Sequence, residues 1–338
     1  MPSFPLALQT AYQDLLESHK MQAVPDLCGA PFLKNQGAQG GYWYARQRIG
    51  SRVVDRYIGC NTPEIRERIE KAKHDLEGQK VFERRCKALV AQLRAAGLPA
   101  LDRNTGKVLS AIARIGTFRL GGTLVGTHAF RLYSAELGVR LDDDTTVTTQ
   151  DVDIEAFESI KIAIGEEVNS VLAGTLKDLK LSPVSDFVCK HKPTRWATRD
   201  GETMIDFITP KTLESSDILM LGTSDVYTRA LHFLNFLIAK PIPAVGLYRG
   251  GVLVQIPTPE RYAIHKLIVA QRRTDGLQTK SRKDFAQARN LIRILSEDRP
   301  YTLREAYEAA MDIGPEWREE IEKSFSQHPD IARTIKHL

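Results

Sequence analysis

Thr149-Gln150-Asp151-Val152-Asp153-Ile154 alternates polar and apolar residues, and the alternation runs on through Glu155-Ala156-Phe157 as in a short strand. Residues two apart on a strand project to one side, so Asp151 and Asp153 present two carboxylates together. Two such anions repel unless a cation sits between them. Mg²⁺ suits the pair, because it takes oxygen ligands and binds through one or two carboxylates plus substrate phosphates. Asp-x-Asp alone is common on exposed strands, so the surrounding sequence carries the weight.

Upstream, TFRLGGTLVG (117–126) reads as a strand with glycines inside it and at its end, and a helix begins at Thr127. A glycine turn leading into a helix leaves backbone N–H groups exposed where phosphate can bind. A polar connection, LDDDTTVTTQ (141–150), then leads to the acidic strand, which is flanked by the hydroxyls of Thr148 and Thr149 rather than by lysines. Downstream, residues 160–174 suggest a helix. FVCKHKPTRWATRDGETMIDFIT (187–209) suggests a strand pair turning at Asp200-Gly201. Its apolar run MIDFI (204–208) contains a third acid, Asp206, which would be costly there without a partner.

Before this middle stretch, YWYARQRIGSRVVDRYIG (42–59) has the period of a hairpin around Gly50-Ser51. One or two helices follow over 62–97, ended by Gly97-Leu98-Pro99. The hairpin arginines Arg46, Arg48, Arg52 and Arg56 stand near aromatics, as in a surface holding a nucleic-acid backbone. The plainer reading is the solvated face of a two-sided ribbon. After the middle stretch, a small strand element at 245–256 precedes Pro257 and Pro259, which mark the entry to helix PERYAIHKLIVAQRR. A helix carrying RKDFAQARNLIRIL (282–295) and two more complete the chain.

A length of 338 residues favours two or three domains, expected here at 1–100, 101–215 and 216–338. Apolar residues at 42% and charged residues at 26% are values for a globular chain rather than a disordered one. No apolar run approaches the roughly 20 residues that span a bilayer, and the N-terminus has no basic leader and reads as an amphipathic helix. Cys28, Cys60, Cys86 and Cys189 lie far apart without Cys-x-x-Cys spacing, which argues against a zinc ribbon or a disulfide framework and for a reducing, cytoplasmic setting. The net charge of +5 is compatible with a phosphate-rich partner, with basic clusters near 45–95 and 261–293. There is no P-loop motif, no Gly-x-Ser-x-Gly and no His-Glu-x-x-His.

The order of elements resembles the DNA polymerase beta-like nucleotidyltransferases: a glycine-ended strand, a helix, an Asp-x-Asp strand and a later strand with a third acid. Within that superfamily it is most similar to the abortive-infection type IV toxin-like enzymes. Those have a Gly-Gly-Thr-Ala-Leu turn, a Thr-x-Asp-x-Asp strand, and a helical C-terminal part with a lysine-bearing helix and a Lys-Asp pair. The counterparts here are Gly126-Thr127-His128-Ala129, Thr149 to Asp153, Lys266 and Lys283-Asp284, so the resemblance covers about 115–295. Gly126-Thr127 is preferred as the turn to Gly121-Gly122, which falls inside the expected strand. The long interval to Asp151 implies an inserted loop at 136–148.

This resemblance implies an α/β (α+β) chain, with a mixed-sheet core between an N-terminal hairpin and helix region and a helical C-terminal domain. It implies Mg²⁺-dependent (or Mn²⁺-dependent) transfer of a nucleotide from an NTP to an acceptor hydroxyl. Two ions about 3.5–4 Å apart suit such an in-line displacement. Asp151 and Asp153 would hold them, with Asp206 completing the ion nearer the acceptor or acting as general base. Gly126 and Thr127 would steady the triphosphate, and Lys266, with Lys283 nearby, would neutralise phosphate charge. Lys266 as an exposed helix lysine, and Lys283 with Asp284 as a local ion pair, are the plainer readings. His128 is either near substrate or packed, and Arg131 binds either phosphate or an acid. The acceptor implied is RNA, for instance tRNA in a toxin-like role with a cognate antitoxin. Transfer to a protein or a small molecule, or binding of nucleic acid without catalysis, are the alternatives.

Overall fold

Prolines and capping side chains set where most helices of this chain begin. The structure, a computed structural model, describes residues 3–22, 29–34, 40–49, 52–141, 160–164, 172–184, 192–211, 216–221, 226–272 and 278–338. After Pro5, α1 (Leu6–Met21) buries Ala11, Tyr12, Leu15 and Leu16, a stripe of helical spacing. Three antiparallel strands follow, β1 (Ala30–Lys34), β2 (Tyr42–Ile49) and β3 (Arg52–Cys60), in the order β1-β2-β3. The long α2 (Pro63–Ala95) starts on a proline, and the Thr62 hydroxyl accepts the Ile65 N–H at 3.3 Å. Its C-terminal half buries Cys86, Val90 and Leu93 in a small core shared with α1.

The next helix, α3 (Arg103–Arg114), is capped by Asp102, whose carboxylate accepts the N–H groups of Asn104 and Thr105 at 2.9 Å. Then come β4 (Thr123–Val125), α4 (Thr127–Glu136), β5 (Ile160–Ala163), α5 (Leu172–Asp178), β6 (Leu181–Val184), β7 (Arg195–Thr198), β8 (Met204–Pro210), β9 (Ile218–Met220) and β10 (Tyr227–Leu231). These strands form one mixed sheet in which β8 is central. It pairs in parallel with β5 on one side, and on the other with β7 antiparallel and β10 parallel. One face is mostly apolar, with Ile162, Trp196, Ile205 and Phe207 buried in the main core.

The remainder comprises α6 (Leu234–Ile238), the hairpin β11 (Pro241–Gly246) and β12 (Val252–Pro257), then α7 (Pro259–Gln271), α8 (Gln278–Asp298), α9 (Pro300–Ile313), α10 (Pro315–Gln327) and α11 (Pro329–Lys336). Helix α7 is buried on nearly every side, with Tyr262, Ala263, Ile264, Leu267 and Ile268 in the core. The whole is a mixed α/β structure with a mixed sheet and a helical C-terminal region, as the sequence led us to expect. Among the described residues, no helix is long and apolar enough to cross a membrane.

Three local expectations need correction. Residues 160–174 do not begin as a helix: Ile160-Lys161-Ile162-Ala163 is a strand, with Ile162 on the buried face of the sheet. The strand expected over 117–126 is only Thr123–Val125, because residues 116–121 turn and Gly121 takes φ +97°. The loop expected at 136–148 is not one of them: its start follows α4, where the Phe4 N–H donates to Gly138 O at 2.7 Å and Ser3 bridges Val139, and residues 142–148 lie outside the described residues. Three helices, not two, follow residue 299, each opened by a proline.

Candidate functional site

Asp206 lies at the middle of β8, where the chain alternates between the core and the other face of the sheet. Its neighbours Ile205 and Phe207 are fully buried, so the carboxylate projects to the opposite side. Register fixes what stands beside it. Lys161 of β5 is its direct partner on one side and Arg195 of β7 on the other. Directly paired residues share a face, so a row of +, −, + charge crosses three adjacent strands. Arg195 grips Asp206 with two nitrogens, Nε to Oδ1 at 2.5 Å and Nη2 to Oδ2 at 3.3 Å. The acid side chain is 14% exposed and the arginine side chain 44%. The costly unpaired acid inferred from MIDFI is therefore paired here, by a cation that reaches solvent.

The row continues to the glycine turn. Val125 of β4 pairs with Lys161, and the next residue, Gly126, is the N-cap of α4. Gly126 takes φ +72° and ψ −156°, a region essentially closed to other residues. A Cβ at Gly126 would lie 3.7 Å from Cδ of Lys161, so the lysine stem runs alongside the turn. Thr127 opens α4, His128 is packed inside, and Arg131 is exposed one turn on. Gly121-Gly122 lie just ahead of β4, not within it. A Cβ on Gly122 would meet the Thr117 carbonyl at 2.8 Å, and the Gly122 N–H donates to that carbonyl at 2.9 Å, so this second glycine serves a tight turn.

The C-terminal helices back this turn. The Tyr262 hydroxyl on α7 lies 3.1 Å from Gly126 O and 3.0 Å from Oε1 of Gln287 on α8. A phenol has one proton for two acceptors. With the Gln287 amide rotated, its NH₂, otherwise a buried donor without a partner, donates to the phenol, and the phenol proton goes to Gly126. Phe130 and Tyr133 of α4 complete an aromatic cluster with Tyr262, at centroid distances of 6.1 and 5.3 Å.

One turn along α7, Lys266 is buried and forms an ion pair with Asp284 of α8. Its ammonium lies 5.2 Å from the Tyr262 ring centroid. Lys266 is thus not an exposed helix lysine, and the partner of Asp284 is Lys266 rather than the adjacent Lys283, which is half-buried on α8. Beside the pair, burial pushes His265 down to about 3, with the Lys266 ammonium adding to the shift and Asp284 opposing it.

Asp151 and Asp153 lie outside the described residues, as do Cys28 and Cys189. Among the described residues no group of three or more His, Cys, Asp or Glu side chains is disposed to hold a metal ion. Asp206, Gly126 and Thr127 are linked through Lys161, and Lys266 reaches the same turn through Tyr262. Residues missed in the sequence are Lys161, Arg195, Tyr262 and Gln287. Lys161 was legible only as the polar position in Ile-Lys-Ile; Arg195 stands in the strand pair read over 187–209, while Tyr262 and Gln287 depend on the packing of α7 on α8. In chemical terms the arrangement offers a carboxylate, two basic side chains and the amides of a helix N-terminus on one side of the sheet, a setting suited to a phosphorylated ligand.

A family model described as "Nucleotidyltransferase" matches residues 103–312, which holds all of this site and the Asp151-Val152-Asp153 stretch. A second, described as "Domain of unknown function (DUF6788)", matches residues 7–67. No curated protein and no solved structure matches the chain.

Proposed function

The chain belongs to this nucleotidyltransferase family and is an enzyme of that kind, and from that premise we propose that it moves an NMP from an NTP to a hydroxyl of RNA, with pyrophosphate leaving, in the manner of the abortive-infection toxin-like enzymes. The observation that carries the site assignment is the lateral row Val125–Lys161–Asp206, because it joins the third acid to the Gly126-Thr127 turn across adjacent strands. The connection containing Asp151 and Asp153 enters this sheet at Ile160, next to Lys161, which favours a common site for all three acids.

Asp151, Asp153 and Asp206 are the residues to hold Mg²⁺ or Mn²⁺. Their oxygens are the hard donors such ions take, and Asp206 already accepts a cation, Arg195, whose half-exposed side chain has room to withdraw. A bound ion supplies positive charge against the triphosphate and acidifies the acceptor hydroxyl. The chain's own residues do the rest. Amides at the start of α4 and the Thr127 hydroxyl orient the phosphates, Lys161 and Arg195 add charge beside them, and Asp206 accepts the proton of the attacking hydroxyl. Lys266 and Lys283 contribute positive potential from behind the turn, with Tyr262 holding its carbonyl in place. A toxin-like role in the cytoplasm, opposed by a cognate antitoxin, belongs to the same proposal and rests on the Thr-x-Asp-x-Asp strand and the lysine-bearing helix.

The test is incubation of the purified chain with Mg²⁺, each α-³²P-labelled NTP in turn and total RNA, beside an Asp151→Ala/Asp153→Ala variant. Label in RNA that vanishes with the variant is the expected result, and it names the nucleotide. Label on protein alone moves the acceptor to a polypeptide. RNA binding without labelling overturns the catalytic reading.

A further inference from the structure

A positively charged segment also lies away from this site. Residues 29–60 carry Lys34, Arg46, Arg48, Arg52 and Arg56 against one acid, Asp55. The same residues form the sheet β1-β2-β3, and its register sets aromatic side chains in a row. Phe32 pairs with Tyr44, and Tyr44 with Tyr57, one from each strand. Direct partners share a face. The Phe32 and Tyr44 rings stack at 5.9 Å and 27°, Tyr57 stands edge-on to Tyr44 at 5.6 Å, and Tyr42 lies 6.1 Å from Tyr57. The other face is occupied: Ala45 is buried, and Gly59 lies against Ile65 of α2. The aromatic face is open, with Tyr57 57% and Val53 55% exposed.

Cations are built into this face rather than around it. Arg46 lies over the Phe32 ring at 4.5 Å, held in place by Asp55 through contacts of 2.8 and 2.9 Å. Lys34 lies 5.9 Å from the Tyr44 centroid. An apolar protein partner would have to bury both charges, which is costly. A strand of alternating flat bases and phosphates matches them: bases stack on the rings while phosphates meet Lys34 and Arg46. A duplex hides its bases and cannot use the rings.

We propose that the Phe32–Tyr44–Tyr57 face binds single-stranded RNA and so carries the acceptor of the transfer reaction. The choice of RNA rests on the acceptor reading above; the stacking surface itself stands on charge complementarity and ring geometry. It is tested by titrating the full chain into a 5′-fluorescein-labelled single-stranded RNA of about 12 nucleotides and following anisotropy, with EDTA present so that no transfer occurs. Tyr44→Ala/Tyr57→Ala is expected to weaken binding about tenfold or more, given the usual contribution of base–ring stacking. Tyr44→Phe/Tyr57→Phe keeps the rings and is expected to keep the affinity, which separates stacking from misfolding. The single variant Tyr57→Ala, at an exposed position, is expected to fold normally and lose a smaller share. Asp151→Ala/Asp153→Ala is expected to bind like the unaltered chain, so that failure of catalysis and failure of this surface are read separately. Equal binding by the alanine and phenylalanine pairs overturns the proposal. So does equal or tighter binding of duplex RNA, or tighter binding of single-stranded DNA of the same sequence.

Discussion

The Tyr262 hydroxyl on α7 donates to the carbonyl of Gly126, 3.1 Å away and 136 residues earlier in the chain. That carbonyl also accepts the first hydrogen bond of α4, from Phe130 N–H at 3.1 Å. A helix of the C-terminal region therefore holds the glycine turn that precedes the candidate phosphate-binding helix. Tyr262→Phe should cost about 1–3 kcal/mol, the usual penalty for a buried group losing its partner, and should also lower transfer activity. Tyr133→Phe is the control, since its buried hydroxyl donates to Pro257 O at 2.8 Å instead. It should cost similar stability in urea unfolding and leave activity nearly intact. Equal activity loss in both would detach Tyr262 from the site.

Lys266 and Asp284 make the second prediction. Both are buried, at 8% and 3% exposure, and removal of one partner strands the other charge. Lys266→Met or Asp284→Leu alone should destabilise by about 3–5 kcal/mol, while the double variant should recover most of it. Transfer activity then separates two roles. If Lys266 supplies positive potential to the triphosphate, the double variant is stable yet impaired, mainly in KM for NTP. Recovery of both stability and activity would make the pair a structural device alone.

What the sequence revealed follows the range of the forces involved. The hairpin Tyr42–Ile49/Arg52–Cys60, the turn at Asp200-Gly201 and the helix opened by Pro259 are encoded within a few residues and were legible, whereas the last three proline-opened helices were read as two. Ile160–Ala163 was misread because four residues cannot distinguish strand from helix when their partner, Ile205–Ile208, lies 45 positions away. The same distance hid the pairing of Lys161 with Asp206. Lys266 was singled out by resemblance, but its burial with Asp284 arises from the packing of α7 on α8, which no local pattern announces.

The two glycine turns flanking β4 can be told apart by alanine. Gly126→Ala meets no atom closer than 3.7 Å, so its cost is conformational, about 1–3 kcal/mol for φ +72°. Gly122→Ala has no such backbone conflict, but it drives a methyl to 2.8 Å from the Thr117 carbonyl and should cost about 1–3 kcal/mol through overpacking. If Gly126-Thr127 cradles the triphosphate, only Gly126→Ala should also raise KM for NTP, about tenfold or more for displaced charge-assisted bonds. The reverse pattern would assign the phosphate turn to Gly121-Gly122.

His265 gives the chain an acid-sensitive stability. In the unfolded chain its ring takes up a proton near its ordinary value of 6.5, but in the fold burial first, and the Lys266 ammonium second, hold it neutral down to about 3. The unfolded state therefore binds more protons across that interval, and stability falls as pH drops through it, by up to about 1.4 kcal/mol per pH unit for one proton. Above about pH 6.5 both states are neutral and this contribution is constant. His19, also lowered by burial, acts in the same direction. Asp55, Asp102, Asp200 and Asp217 are all lowered in the fold, so they are ionised between about pH 7 and 5 and do not mask the effect. Denaturation midpoints measured across that range should fall for the unaltered chain and fall less steeply for His265→Gln. Parallel curves for the two proteins would mean that His265 protonates in the folded chain as readily as in the unfolded one.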